Sequence, residues 1–246
     1  MSRPMSCIVE YNIRKENTTM EQWLEMWKPR AVDARDGEPE TSAYAACINT
    51  NNPERVLVFE RYDHGMASIK LHSDREAHKT LIQTMFEKNV TKYQALPGLL
   101  FYDIPGYGWW SRPGKQRKDK DTILIVTVLR FEQPWMLDKY IQITTEFNKY
   151  VWENEPDTLI YSGGIATMDV KKGDYEIKKG DFISIFECTD QAALQKHADD
   201  PEHRDRLPTQ FNRAGVKIKG VTQMYYRTTG IGFMNRTSSE AGRARM

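Results

Sequence analysis

No stretch of the 246-residue chain approaches the roughly 18 to 20 consecutive apolar residues of a membrane span, and Met1 to Ser6 lack the apolar core of a secretion signal. Charge of one sign does not accumulate either: 35 Lys and Arg against 34 Asp and Glu leave a formal net charge of +1. That balance supplies no field for nucleic acid or an anionic membrane, so neither is expected as a partner. Cysteine is scarce. Cys7, Cys47 and Cys188 are odd in number and far apart, which argues against a disulfide framework and a zinc site and predicts buried thiols. Nucleotide signatures are missing: Gly106-Tyr107-Gly108 has no third glycine and no helix after it, and no Gly-x4-Gly-Lys-Ser/Thr occurs. Neither a nucleophile elbow nor a Cys-x2-Cys pair is present. No cofactor and no metal are expected, and the chain reads as cytoplasmic.

What the chain does have is internal duplication. Glu38-Pro39-Glu40-Thr41-Ser42-Ala43-Tyr44 returns 117 residues later as Glu155-Pro156-Asp157-Thr158-Leu159-Ile160-Tyr161. Phe59-Glu60 returns 127 residues later as Phe186-Glu187, and His72, His78 and Phe86 return 125 residues later as His197, His203 and Phe211. Gly98 is answered by Gly220, and Gly106-Tyr107-Gly108-Trp109-Trp110 by Gly230-Ile231-Gly232-Phe233-Met234. The order is kept while the offset drifts by only ten residues, the signature of two copies of one unit. The jump in offset falls where Lys171-Lys172-Gly173-Asp174 and Lys178-Lys179-Gly180-Asp181 bracket an extra piece, read as a lengthened hairpin.

Each copy has one layout. A β-rich run opens it, Cys7 to Ile13 or Thr122 to Phe131. A helix follows, which Thr18 or Thr19 can cap in the first copy and Pro134 can start in the second. The Glu-Pro segment breaks that helix and leads into a second strand. The third strand is Arg55 to Tyr62 or Phe182 to Cys188; short helices carry the histidines, and a last strand follows Gly98 or Gly220. The order β-α-β-β-α-β is ferredoxin-like, within an α+β class. We place one domain at 5–110, a solvated linker at 111–120, a second domain at 121–234 and a disordered polar tail at 235–246.

Glu-Pro-x-Thr-x-x-Tyr, a strand ending in Phe-Glu and His-x5-His together resemble the antibiotic biosynthesis monooxygenase (ABM) domain of the dimeric α+β barrel superfamily. The resemblance occurs twice and covers nearly the whole chain. It implies two four-stranded sheets packed sheet to sheet into a barrel, with a pocket between each sheet and its helices. Two chains usually supply the two units; here one chain would hold both, as an intramolecular pseudo-dimer, with homodimerisation left open. Family members include cofactor-independent oxygenases of polyketide phenols or anthrones, enzymes acting on other small lipophilic molecules, haem degraders and proteins that only bind or cyclise. The haem-degrading branch uses a pocket Trp near the position of His72 and His197, so haem degradation is not expected. The leading expectation is a cofactor-independent monooxygenase of secondary metabolism, taking dioxygen and a small lipophilic substrate such as a polyketide phenol, an anthrone or an oxylipin. The alternatives are a cofactor-free cyclase or isomerase and a non-catalytic binding protein.

Such chemistry needs a base, and histidine's unperturbed pKa near 6.5 suits it. His72 and His197 are the candidates, with Glu60 and Glu187 as ready partners and His78 as a substrate contact; a purely structural role is the alternative for each histidine. Trp23 and Trp27 lie four apart on one helix face with Met20 and Leu24, as core or as the wall of a pocket for a flat ring. Phe59 is a further candidate contact. Asn12 alternates with Ile8 and Glu10; on a helix-facing side it would orient a substrate, on the other face it would meet solvent. The second copy's first strand has no counterpart to Glu10 and Asn12, which makes the first copy the expected working half. The last residues, Ala244-Arg245-Met246, loosely match a peroxisomal address.

Overall fold

A computed structural model describes residues 3–112, 120–173 and 175–236. Most of the linker and of the tail, with the Ala244-Arg245-Met246 address, lie outside the described residues.

Alternating side chains decide the architecture. In β1 (Met5–Ile13), Ile8 and Glu10 point one way while Val9, Tyr11 and Ile13 point the other. In β3 (Arg55–Tyr62), Leu57 and Phe59 oppose Val56 and Val58 in the same manner. Both faces of these strands are buried, so apolar residues stand on both sides of each. With β2 (Thr41–Asn49), β4 (Thr91–Trp109), β5 (Lys120–Phe131), β6 (Thr158–Ala166), β9 (Phe182–Cys188) and β10 (Ile218–Phe233) they form one closed antiparallel barrel. The strand order is β1-β3-β2-β10-β5-β9-β6-β4. The sheets of the two halves therefore meet edge to edge by hydrogen bonds, β2 to β10 and β4 to β6, which leaves the barrel no open edge.

The interior is filled by residues of both halves, among them Ile8, Leu57, Phe59, Phe101, Leu124, Val126, Ile183 and Tyr226. The extra piece of the second half is a hairpin, β7 (Val170–Lys172) with β8 (Tyr175–Ile177), and its Val170, Tyr175 and Ile177 join that interior cluster. Tyr175 donates its hydroxyl to Glu10 at 2.7 Å, and Tyr226 and Asn49 donate to the same carboxylate at 3.0 and 2.8 Å. A carboxylate with no exposed surface is tolerated there because both of its oxygens are hydrogen-bonded.

Helices cover the outside. α1 (Met20–Gly37) starts at a capping box in which Thr19 and Gln22 exchange side-chain and backbone bonds at 3.2 and 3.0 Å. α2 (Met66–Asp74) and α3 (Glu76–Glu87) complete the first half; α4 (Pro134–Asn154), α5 (Gln191–Asp199), a π-helical turn (Glu202–Arg206) and α6 (Leu207–Arg213) cover the second. Among the described residues no helix is long and apolar enough to cross a membrane. Cys47 and Cys188 are buried as expected, but Cys7 is only half-buried.

One contact repeats atom for atom. Arg112 donates from Nε to the Thr158 carbonyl, from Nη1 to Trp152 and from Nη2 to Val151 and Glu155. Arg236 makes the same four bonds, Nε to Thr41, Nη1 to Arg35 and Nη2 to Ala34 and Glu38, each acceptor 117 residues earlier. Each arginine ties the last carbonyls of a long helix to the strand that follows it.

The Phe-Glu landmark is not equivalent in the two halves. Tyr44 pairs with Glu60 across β2–β3, whereas Tyr161 pairs with Phe186 across β6–β9. The strand is offset by one residue, which turns alternate side chains to the opposite face. Phe59 accordingly points into the barrel while Phe186 faces the helices.

Glycine is required where β4 passes β6: a Cβ on Gly108, at φ +64°, would lie 1.8 Å from the Tyr161 carbonyl oxygen. Gly106, at φ +73°, has open space there. Gly106→Ala should therefore cost only about 1 kcal/mol for its backbone conformation, and Gly108→Ala at least about 3 kcal/mol. Urea denaturation of the two variants checks the difference.

Candidate active site

Between sheet and helices, the first half is full. Trp23 and Trp27 are 0% and 3% exposed, stack at 4.8 Å, and pack on Tyr11 and Tyr44. They are core, not pocket wall. The answering positions of α4, 117 residues on, hold Tyr140 and Thr144. Tyr140 lines a cavity of about 500 Å³ between the second-half sheet and α4–α6, while Thr144 is fully buried outside it and accepts from the Tyr107 hydroxyl. The cavity walls include Tyr140, Tyr161, Phe186, Phe211, His197 and His203.

His197, 7% exposed, is held by Glu155, whose Oε2 lies 2.7 Å from its Nδ1. Thr158 donates to the same oxygen at 3.1 Å, while Oε1 is buried without a hydrogen-bond partner. The Phe186 and His203 rings flank His197 with centroids at 4.5 Å each. Burial, then the neighbouring His197, lowers the His203 pKa, so His203 is held as a neutral ring. Burial raises the Tyr140 and Tyr161 hydroxyls well above the usual tyrosine range, so both stay protonated and able to donate. The histidines are six residues apart yet touch, because the chain turns between them at Asp200-Pro201 and they sit on different helical segments.

His72 occupies the answering place under different constraints. Its Nδ1 lies 2.8 Å from Glu38 Oε2, and Arg30 bonds both Glu38 and the His72 ring. Thr41 donates to Glu38 at 2.7 Å, and Arg75 reaches it at 3.5 Å. Where Arg30 stands, the second half has Phe147. His78, 5.1 Å from His72 ring to ring, is pushed down to about 4 by burial first and then by the charges of His72 and Arg30. The polar crevice over His72, lined by Glu38, Ser68 and Arg75 among others, holds about 200 Å³.

The predicted site residues therefore divide. His197 lines the large cavity; His72, His78, Trp23 and Trp27 lie in the filled first half. Phe59 and Asn12 lie on the other side of the sheet. Asn12 shares the inward face of Ile8 and Glu10, because Tyr11 and Ile13 take the helix side, and it donates to the Tyr93 hydroxyl at 3.1 Å. Glu60 and Glu187 are not the carboxylates that hold the histidine Nδ1 atoms: Glu60 lies 4.0 Å from His72 Nε2, and Glu187 accepts from Thr122 at 2.6 Å. The partners are Glu38 and Glu155 of the Glu-Pro segments. Their recurrence was visible; their reach to a histidine 34 or 42 residues away was not. The larger space lies in the second half, whereas polarity on β1 made the first half the expected one. Among the described residues no group of three or more His, Cys, Asp or Glu is placed to hold a metal ion.

No protein-family model and no curated protein matches the chain. Solved structures do. A Fusobacterium nucleatum protein named "putative monooxygenase" superposes with TM-score 0.74 at 12% identity, covering 96% of this chain and 97% of its own. A Lactobacillus acidophilus protein of the same name gives 0.71 at 10%, covering 96% and 99%. An "anthrone oxidase-like protein" gives 0.57 at 11%, covering 93% and 92%. The likeness is one of fold. It places the chain among the closed α+β barrels that include monooxygenase-named proteins, and the chemistry must be argued from the cavity.

Two groups of the filled half contribute to the loss of stability in acid. His78 has a lower pKa folded than unfolded, so the unfolded chain binds more protons and stability falls as pH drops from about 6.5 to about 4. Burial raises the Glu38 carboxyl, but His72, Arg30 and Thr41 outweigh it and hold it at about 2, so further stability is lost from about 4.5 downward. Denaturation midpoints measured against pH should show both windows, and Glu38→Gln should remove the lower one.

Proposed function

We propose that the chain is a cofactor-independent monooxygenase whose substrate is a small, flat, uncharged phenolic metabolite, an anthrone or similar polyketide phenol, bound in the second-half cavity. The observation that carries this is His197, fixed by Glu155 at 2.7 Å, in an aromatic-walled space of about 500 Å³. That volume suits a tricyclic substrate. None of the cavity's lining residues is Asp, Glu, Lys or Arg; its polar members are Thr127, Ser184, three glutamines, tyrosines and the two histidines. An uncharged ring is thus favoured over an oxylipin carboxylate, which would be buried without a lysine or arginine.

With Glu155 accepting from Nδ1–H, the basic atom of neutral His197 is Nε2. It takes a proton from the activated methylene of the substrate, and Glu155 balances the imidazolium that forms. The Arg30 guanidinium lies against the His72 ring, whereas Phe147 takes that place beside His197. The electron pair left on carbon passes to dioxygen, forming a C–O bond, and the proton returns to the outer oxygen to give a hydroperoxide. Loss of the second methylene proton with cleavage of the O–O bond leaves a quinone carbonyl and releases water. One substrate and one dioxygen give one quinone and one water, with no external reductant. His203 and the tyrosine hydroxyls serve as donors to the developing oxyanion, and the aromatic walls exclude water.

We infer also that the halves are two ferredoxin-like copies of one unit, joined as a pseudo-dimer; the matched Arg112 and Arg236 clamps support it. Oxygen uptake with an anthrone tests the activity. His197→Ala should lower kcat/KM by roughly 10² to 10⁴-fold and leave the melting temperature nearly unchanged. His72→Ala should cost about 3 kcal/mol of stability and leave turnover per folded molecule intact. Product formed under nitrogen would indicate a cyclase or isomerase, and saturable binding without product a binding protein; either overturns the oxygenase.

A further inference from the structure

On the far side of Tyr161 from His197 lies a second, separate pocket. It is an open space of about 370 Å³ between the Gly106–Trp109 stretch of β4 and one face of α4. Thr145, Asn148, Lys149 and Trp152 recur along that helix at spacings of three and four, so they form one stripe. Trp109 and Trp152 meet edge to face at 5.0 Å. Arg112 stacks over both rings, at 4.9 and 4.5 Å, and holds them while its nitrogens are committed to backbone carbonyls.

Asn148 is the anomaly. It is 4% exposed, and neither its Oδ1 nor its Nδ2 makes a hydrogen bond. The Tyr107 hydroxyl, raised by burial to about 12, donates to Thr144 at 3.0 Å and its lone pairs can take one amide hydrogen of Asn148, which leaves Oδ1 and the second N–H without a partner. The Trp109 indole nitrogen is likewise buried without an acceptor. Leaving such groups unpaired costs about 1 to 3 kcal/mol each. The fold does not demand them. At the answering positions of the first half, Asn148 is Ala31 and Trp109 is Phe233, both apolar and both buried in the core. At these two positions the second half therefore carries polar groups where the first half has apolar ones.

We propose that this pocket binds a small flat aromatic molecule bearing a carboxamide- or lactam-like edge. Asn148 offers an acceptor and a donor to match that edge, Trp109 Nε1 adds a donor, and the indole of Trp152 supplies a surface for the ring. The site is independent of the His197 cavity and does not rest on the oxygenase reading.

Benzamide is the probe, titrated into the full-length protein and followed by calorimetry and tryptophan fluorescence. Saturable binding is expected, with toluene and acetamide each roughly tenfold weaker because each lacks half of the recognised feature. Asn148→Ala should weaken benzamide by roughly tenfold or more while the melting temperature stays level or rises. His197→Ala should leave benzamide affinity unchanged. Absence of saturable binding, equal affinity in Asn148→Ala, or loss of binding in His197→Ala would overturn the proposal. A clear fall in the melting temperature of Asn148→Ala would do so too, since it would reveal a structural hydrogen bond.

Discussion

The outer layer of this barrel depends on a buried carboxylate, set at the corner between a long helix and its following strand, that holds an imidazole from a distant helix. Glu38 meets His72 at 2.8 Å and Glu155 meets His197 at 2.7 Å. The corner is rigid for a reason. An arginine gathers the helix-end carbonyls on one side, and a threonine three residues on donates to the carboxylate from the other. A buried charge so placed must find a partner, and the histidine is the partner both halves share. It draws the short helices down onto the sheet and fixes the ring orientation.

What surrounds that pair then decides its use. In the first half Arg30 completes the charge balance and the stacked Trp23 and Trp27 fill the remaining space, so the pair behaves as a structural bolt. In the second half Phe147 replaces the guanidinium and Tyr140 and Thr144 stand where the indoles were. The carboxylate keeps one oxygen without a hydrogen bond, and the imidazole borders a cavity. One scaffold thus supports a packed half and a hollow half, and the packed half can carry stability that the hollow one gives up.

Much of this is legible in the sequence, because it is periodic or repeated. The Glu-Pro-x-Thr segments, the paired histidines, Pro134 at a helix start and the extra hairpin are all local signals. The rest depends on register and volume. Phe59-Glu60 and Phe186-Glu187 look alike as words, but a shift of one residue across the sheet sends the two phenylalanines to opposite faces. Asn12 looks available for a ligand until Tyr11 and Ile13 claim the helix side of β1. His72 and His78 look too far apart to touch, since a helix break between them is settled by tertiary packing. Above all, a cavity has no motif. It is set by how side chains fill the space between sheet and helices, which is visible only when the two halves are laid over one another in three dimensions.

The same comparison separates polar groups that hold the fold from those that wait for something. Inside the barrel, Glu10 and Glu187 are fully buried, but Asn49, Tyr175 and Tyr226 satisfy the first and Thr122 donates to the second. These carboxylates are finished, and their replacement would be felt as lost stability. Asn148 and Glu155 Oε1 are buried without hydrogen bonds, on the two sides of Tyr161, in the half whose counterpart positions are filled or apolar. Selection for stability alone would remove a group that costs free energy and is replaceable on the same scaffold, as Ala31 illustrates. The Trp23 and Trp27 indole nitrogens and the Tyr44 hydroxyl are buried without partners too, but their rings fill the packed core, whereas Asn148 borders an open space.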